Sequence, residues 1–206
     1  MPKFLYASVM IITIASFKGG VGKTTTAIHL AAYLQRLAPT VLFDGDPNRA
    51  AIAWSRKGNL SFRVEDINKT ARLAGEFKHI VIDTEARPGP EDFQALAESC
   101  DLLVIPAAPG TLDTLALTQT VNELSEFSDV SYKVLLVKVP PPNEPEAALL
   151  RQQLESFGVP LFAAEIPQLK AFEKAVAQGL AVHDVKDPRA VRAWEAYEAA
   201  GKEILT

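Results

Sequence analysis

Eight consecutive residues, Lys18-Gly19-Gly20-Val21-Gly22-Lys23-Thr24-Thr25, are the stretch of the chain best equipped for chemistry. Their glycines let backbone N–H groups turn inward and approach an anion closely, and a helix starting behind them adds its positive end. That arrangement suits a polyphosphate. Lys23 would bridge the β- and γ-phosphates as a point charge, the Thr24 hydroxyl would hold Mg²⁺, and Thr25 would contact the α-phosphate, the division of labour in Walker A loops. The pattern departs from the plain motif at its first position. Phe17 stands where G-x-x-x-x-G-K-[ST] expects glycine, and Lys18 follows it. A glycine-rich turn that merely joins strand to helix is the competing explanation, and Gly-Lys-Thr-Thr at such a junction weighs heavily against it.

Carboxylates form the second candidate group. Asp83 ends an apolar run, where a charge is costly unless it meets a cation or hydrogen-bond donors. Asp46 precedes Pro47, so it could be a plain helix cap, since proline favours the first helical turn. Its placement relative to Lys23 favours a part in the site, with Asp44 beside it in structural support.

These residues need a frame that brings them together. Short β-rich runs alternate with stretches of helical period, the pattern of a parallel sheet covered on both faces. Strands are expected at Ile11 to Ser16, Thr40 to Asp44, Phe62 to Glu65, His79 to Asp83, Leu102 to Pro106, Lys133 to Val139 and Leu161 to Glu165. Helices are expected at Lys23 to Leu37, Arg49 to Lys57, Thr70 to Gly75, Glu91 to Ser99, Leu112 to Glu126, Pro145 to Phe157, Leu169 to Gln178 and Pro188 to Ile204. The fold class is therefore α/β: a doubly wound, mostly parallel sheet of about seven strands. Ligands of such sheets bind outside the carboxyl ends of the strands. The loops after the first, second, fourth and fifth expected strands, at 18–25, 44–48, 83–90 and 106–113, would converge on that rim.

Composition sets the bounds. A chain of 206 residues, 48% hydrophobic, fills one core, so a single domain is expected over 1–206, with 1–9 a dispensable extension and no separate N-terminal DNA-binding domain. The formal charge of -4 advertises neither nucleic acid nor an anionic membrane, so any such contact must come from a local patch. Cys100 is the sole cysteine, which excludes an intrachain disulfide and suits a reducing cytoplasm. No apolar run is long enough to cross a bilayer. Pro140-Pro141-Pro142 is a stiff loop, too short to separate domains.

Lys-Gly-Gly-Val-Gly-Lys-Thr-Thr resembles the deviant Walker A box of the ParA/MinD family of ATPases, and the likeness runs over nearly the whole chain. Asp44-Gly45-Asp46-Pro47-Asn48 is similar to the family's Asp-x-Asp-Pro, and Val81-Ile82-Asp83-Thr84 to its Walker B strand end. Val104-Ile105-Pro106 with Pro109 and Asp113 resembles the segment after the fifth strand in small partition ATPases, and Ile166-Pro167-Gln168 their adenine-side loop. The resemblance implies ATP and Mg²⁺ as cofactors and an ATP-dependent sandwich dimer in which Lys18 reaches the partner's nucleotide. It further implies that Asp46, near the Mg²⁺, orients the attacking water and that Asp83 holds Mg²⁺ through a water. The chain departs from the family at Glu85-Ala86-Arg87, where Ala-Pro-Pro is common.

The base is expected to be adenine. A guanine pocket of the common type wants Asn-Lys-x-Asp after a late strand, whereas the chain reads Val137-Lys138-Val139-Pro140, and Lys138 and Pro167 are the candidate adenine walls. Partition members of the family grip DNA without sequence preference. The candidate phosphate contacts are Lys170, Lys174, Lys186, Arg189 and Arg192, but Glu173, Asp184, Asp187, Glu195 and Glu198 interleave with them, which equally describes a solvated helix surface. A MinD-like membrane helix is the alternative reading. Val191, Trp194 and Tyr197 share a face, yet Glu195, Glu198 and the interruption at Gly201 favour core packing over a membrane. The family's iron-sulfur reductases need two cysteines per chain, which excludes them.

The expected function is a ParA-type ATPase of slow intrinsic turnover that positions a plasmid or carboxysome. Its expected partners are a second copy of itself, non-specific DNA and a ParB-like or McdB-like adaptor, with localisation in the cytoplasm on the nucleoid. An ATP-dependent binding switch with negligible turnover is the other alternative.

Overall fold

The computed structural model describes residues 10–86, 90–110 and 131–205. The expected extension at 1–9, the expected helix at 112–126, Asp113 and Arg87 lie outside them. Among the described residues a single sheet contains β1 (Met10–Ser16), β2 (Thr40–Asp44), β3 (Arg63–Asp66), β4 (His79–Ala86), β5 (Leu102–Ala107), β6 (Tyr132–Val139) and β7 (Leu161–Pro167). The seven strands follow the order β3-β2-β4-β1-β5-β6-β7, and all pairings are parallel. Strands β2 and β5 are buried along their whole length, as apolar runs covered on both faces must be.

The α-helices among the described residues are α1 (Lys23–Gln35), α2 (Ala50–Ser55), α3 (Thr70–Leu73), α4 (Pro90–Glu98), α5 (Glu146–Ser156), α6 (Lys170–Gln178) and α7 (Ala190–Ile204). Successive strand residues point to opposite faces, which divides the core in two. Ile12, Ile14, Leu42, Val81 and Val104 point toward α1, α6 and α7, while Leu103, Ile105, Val134 and Leu136 pack with Ala97 of α4 and Leu150 and Leu154 of α5. The chain passes from β1 to one side of the sheet for β2 and β3, then returns through β4 and crosses to the other side for β5. The strand order therefore reverses beside β1, where the phosphate loop leaves the sheet.

Gly201 does not interrupt the last helix. It lies inside α7, and a Cβ there would stand 2.2 Å from Cδ1 of the buried Tyr33 ring in α1. A missing side chain here serves close helix packing, so propensity yields to tertiary contact. Trp194 and Tyr197 are buried in the core as expected, but Val191 is exposed, and Ala190 and Ala193 take the core-facing positions around it.

Several boundaries shift by a few residues, and two of the shifts bear on the site. The second helix begins at Ala50, because Arg49 has a left-handed φ of 52° and cannot belong to it. Strand β4 runs past Asp83 to Ala86, pairing Ala86 with Ser16 after a register shift, and the Thr84 hydroxyl donates to Ile14 O at 2.9 Å. Prolines at these positions would lack the N–H groups that pairing uses. Thr84-Glu85-Ala86 keeps the strand going.

Candidate functional site

The phosphate loop is held open by backbone geometry. The Ser16 hydroxyl donates to Lys18 O at 2.9 Å, and Val21 is buried, so the loop is fastened at its start and its middle. Gly20 and Gly22 have φ of 77° and 109°, values that strain any residue with a side chain. A Cβ at either position would meet nothing within 4 Å, so the backbone φ, and not a close neighbour, is what calls for glycine there. Helix α1 starts from Gly22 with no side-chain cap and no acidic residue in its first turn. Its N–H groups and dipole are left for an anion from outside. Lys18, Gly19 and Gly20 are exposed, Thr24 and Thr25 half-buried, and Lys23 buried.

The three aspartates divide their work. Asp44, fully buried, accepts from Ile52 N at 2.9 Å in the first turns of α2 and from Asp46 N at 3.1 Å. It is therefore Asp44 that caps α2, and Asp46 is released from that duty. Asp46 Oδ1 accepts from both Asn48 N (2.8 Å) and Asn48 Nδ2 (2.9 Å), which fixes the carboxylate on the loop. Arg49 braces the same loop, with Nη1 donating to Asp44 O at 2.6 Å and Nη2 3.0 Å from Asp66 Oδ2. Sequence reasoning gave Asn48 no role of its own and read Arg49 only as a helix start; the Asx-turn habit of Asp-x-Asn is the signal that could have found the first.

Asp83 is fully buried, and neither carboxylate oxygen has a hydrogen-bond partner of good geometry. Burial raises its pKa to about 7; the nearby Thr24 hydroxyl and Lys23 pull it down, while Asp44 and Asp46 push it further up. Lys23 is buried as well, near enough for its charge to act on Asp83. A buried carboxylate whose oxygens lack a well-placed donor is costly, and a neighbouring buried ammonium offsets only part of that cost.

Among the described residues no three His, Cys, Asp or Glu side chains cluster to hold a metal on their own. Mg²⁺ takes one or two protein ligands and fills its remaining positions with water and phosphate. The orphaned Asp83 carboxylate and the Thr24 hydroxyl fit such an ion. Asp83→Asn is expected to raise the melting temperature of the ligand-free protein, because it removes an uncompensated buried charge. The same change should weaken Mg²⁺-dependent nucleotide binding by about 10- to 100-fold, the usual effect of losing an outer-shell partner. Differential scanning fluorimetry and a nucleotide titration, each with and without Mg²⁺, read both effects.

Beside the phosphate loop lies a cleft of about 270 Å³. Val21, Gly22 and Thr25 form one wall; Lys138, Pro167 and Gln168 form another, and Phe172 and Tyr197 back it. Both expected adenine-side residues thus border one cleft with the loop. The Lys138 ammonium, however, donates to Gly20 O at 2.6 Å.

Behind the cleft, His29 ties α1 to the C-terminal third. Val182 N donates to its Nε2 at 3.0 Å, so the proton sits on Nδ1, which donates to Thr25 O at 2.6 Å. The ring stacks on Tyr197 with 4.8 Å between centroids, and the Tyr197 hydroxyl lies 3.3 Å from Thr26 Oγ1. Complete burial lowers the pKa of His29 to about 4, with the Thr25 carbonyl opposing and His183 adding to the fall. Between that value and 6.5 the unfolded chain takes up a proton that the folded chain refuses, so stability is lost as pH falls through that window. The shift is equivalent to about 3 kcal/mol. Urea midpoints should drop between pH 6.5 and 5, and His29→Gln should flatten that part of the profile. An equally steep profile in the variant would refute the assignment.

The basic residues named for DNA are all exposed. Lys174 pairs with Asp187 at 2.5 Å, and Arg189 N donates to the same carboxylate at 2.8 Å. Lys170 opens α6, and Lys186 precedes α7.

A profile of the CobQ/CobB/MinD/ParA nucleotide binding domain matches residues 12–182. The maintenance of carboxysome distribution protein A of Gloeobacter kilaueensis is 31% identical over 201 residues, which cover 94% of this chain and 93% of that protein. The protein of that name from Halothiobacillus neapolitanus is 25% identical over 184 residues, covering 83% and 85%. Among solved structures, the ATP complex of an McdA variant from Cyanothece superposes with a TM-score of 0.72 at 18% identity, covering 94% of this chain and 97% of that one. The matched span takes in the phosphate loop, the three aspartates and most of the cleft, and the chain belongs to the ParA/MinD family of nucleotide-binding ATPases.

Proposed function

We propose that this protein is a ParA-type positioning ATPase that binds Mg-ATP, pairs face to face with a second copy and is reset by slow hydrolysis. The observation that carries the reading is the buried Asp83 carboxylate, without a hydrogen-bond partner, beside the uncapped helix N-terminus that begins at the buried Lys23. Mg²⁺, when bound, supplies charge neutralisation for the phosphates. The chain's own residues do the rest. The amides of 19–25 hold the phosphates, Lys23 and Thr24 approach from the floor, Asp83 holds a water of the metal, and Asp46 directs a water at the γ-phosphate. Lys18 serves the nucleotide of the partner copy, and Pro167 borders the base.

On this reading the ATP-bound dimer grips DNA on the nucleoid through Lys170, Lys174, Lys186, Arg189 and Arg192. A small ParB-like or McdB-like adaptor releases it by stimulating hydrolysis. The carboxysome-distribution relatives support a carboxysome as cargo over a plasmid. A membrane-bound mode of the MinD kind has less support. Trp194 and Tyr197 are committed to the core, and no helix among the described residues is long and apolar enough to cross a membrane.

Phosphate release measured alone, with DNA, and with DNA plus the product of the neighbouring gene tests the reading. Stimulation by the combination is expected. Turnover that stays negligible under all three conditions would leave an ATP-dependent binding switch in its place. DNA binding should weaken steeply with salt, with a log-log slope of about -0.9 per phosphate neutralised, and a flat response would remove the DNA claim.

A further inference from the structure

Lys138 sits where β6 leaves the sheet, and its backbone is unusual. Its φ of 54° lies in the left-handed region, which a lysine seldom occupies. The ladder slips at the same point: Leu136 opposes Glu165 and Val139 opposes Pro167, so β6 spends three steps where β7 spends two. The extra residue makes a bulge, a device that turns a side chain away from strand alternation. Here the turned side chain reaches the phosphate loop, where its ammonium donates to Gly20 O. Strained backbone of this kind persists where the surroundings hold it in place, and it concentrates at functional sites.

We infer that Lys138 is a positioning residue that clamps the phosphate loop, rather than a wall for the base. The peptide unit explains how. The carbonyl of Gly20 and the N–H of Val21 belong to one planar trans group and point in opposite directions. Fixing Gly20 O on the Lys138 side therefore fixes Val21 N–H on the opposite side of the peptide, where the polyphosphate would sit. A donor aimed in advance loses less on binding than one that must turn. The inference rests on the reading that this loop receives phosphates, and it concerns the polyphosphate rather than the adenine.

The test uses the full chain with K138M, which keeps the aliphatic stem but removes the donor, and K138R, which keeps the charge. Mg-ADP and Mg-tripolyphosphate, a probe with no base, are each titrated against a fluorescent ATP analogue. K138M is expected to weaken both by the same factor, about tenfold for the loss of a charge-assisted hydrogen bond, and K138R to recover most of it. Loss of Mg-ADP binding with tripolyphosphate unchanged would make Lys138 a base wall and overturn the clamp, as would no change in either. Hydrogen exchange on the nucleotide-free protein supplies an independent readout. K138M should speed exchange across residues 19–22, and unchanged exchange there overturns the clamp even if no nucleotide binds. K138A takes the place of K138M should the latter fail to fold. Wild-type protein that binds neither probe would sink the ATPase reading and leave the clamp to be judged on exchange alone.

Discussion

Lys18→Ala protein is expected to bind Mg-ATP and yet elute as a monomer, where the unaltered chain elutes as a dimer. The reason is electrostatic. The γ-phosphate gathers negative oxygens that Lys23 and the loop amides of the same chain only partly balance, and Lys18 stands exposed on the outer limb of that loop. Its main chain is fixed by the Ser16 hydroxyl, so the residue is presented outward from a rigid support. A cation delivered across an interface to a transferring phosphoryl group contributes about 10³- to 10⁵-fold in rate in phosphoryl-transfer enzymes. Turnover of the variant should fall on that scale together with the dimer. Light scattering on a column run in Mg-ATP and a phosphate-release assay measure the two effects. A variant that dimerises and turns over like the parent would remove the trans role of Lys18.

Asp46→Ala is expected to do the opposite to assembly: the ATP-bound dimer should accumulate while hydrolysis falls by about 10²- to 10⁴-fold, the usual contribution of a positioned acid-base group. The geometry makes this substitution clean. Asp44 caps α2 and accepts from Asp46 N, Arg49 N donates to Asp46 O at 2.9 Å, and none of these contacts uses the Asp46 side chain. Truncation should therefore remove the carboxylate and its two hydrogen bonds from Asn48 while the Asp44 and Arg49 contacts keep the loop standing. Monomers in ATP with nucleotide affinity intact would end the proposed role.

Much of the frame was legible because local chemistry dictates it. Apolar runs such as Leu102 to Pro106 announce strands buried on both faces, and Gly-Lys-Thr-Thr fixes where a strand must hand over to a helix. What escaped depends on contacts between distant parts of the chain. Nothing in the residues around Lys138 reveals that a slipped register will aim it at Gly20, 118 positions away. Whether Asp44 or Asp46 caps α2 turns on Arg49 adopting a left-handed backbone, which no propensity predicts. The strand past Asp83 was underestimated because its pairing partner, Ser16, lies in another element. Gly201 looked like a break until Tyr33 was found against it.

The bond between Thr26 and Tyr197 spans 171 positions, and that between His29 and Val182 spans 153. Contacts so far apart in sequence close late, since the entropy of bringing their ends together precedes any reward. During translation, Thr25 and Thr26 leave the ribosome long before the residues that brace them, and domains acquire their contacts as the chain emerges. A nascent chain halted before Val182 would carry an intact glycine loop without its rear support. The rear face of that loop and its helix is thereby completed only once synthesis has run through the last helix.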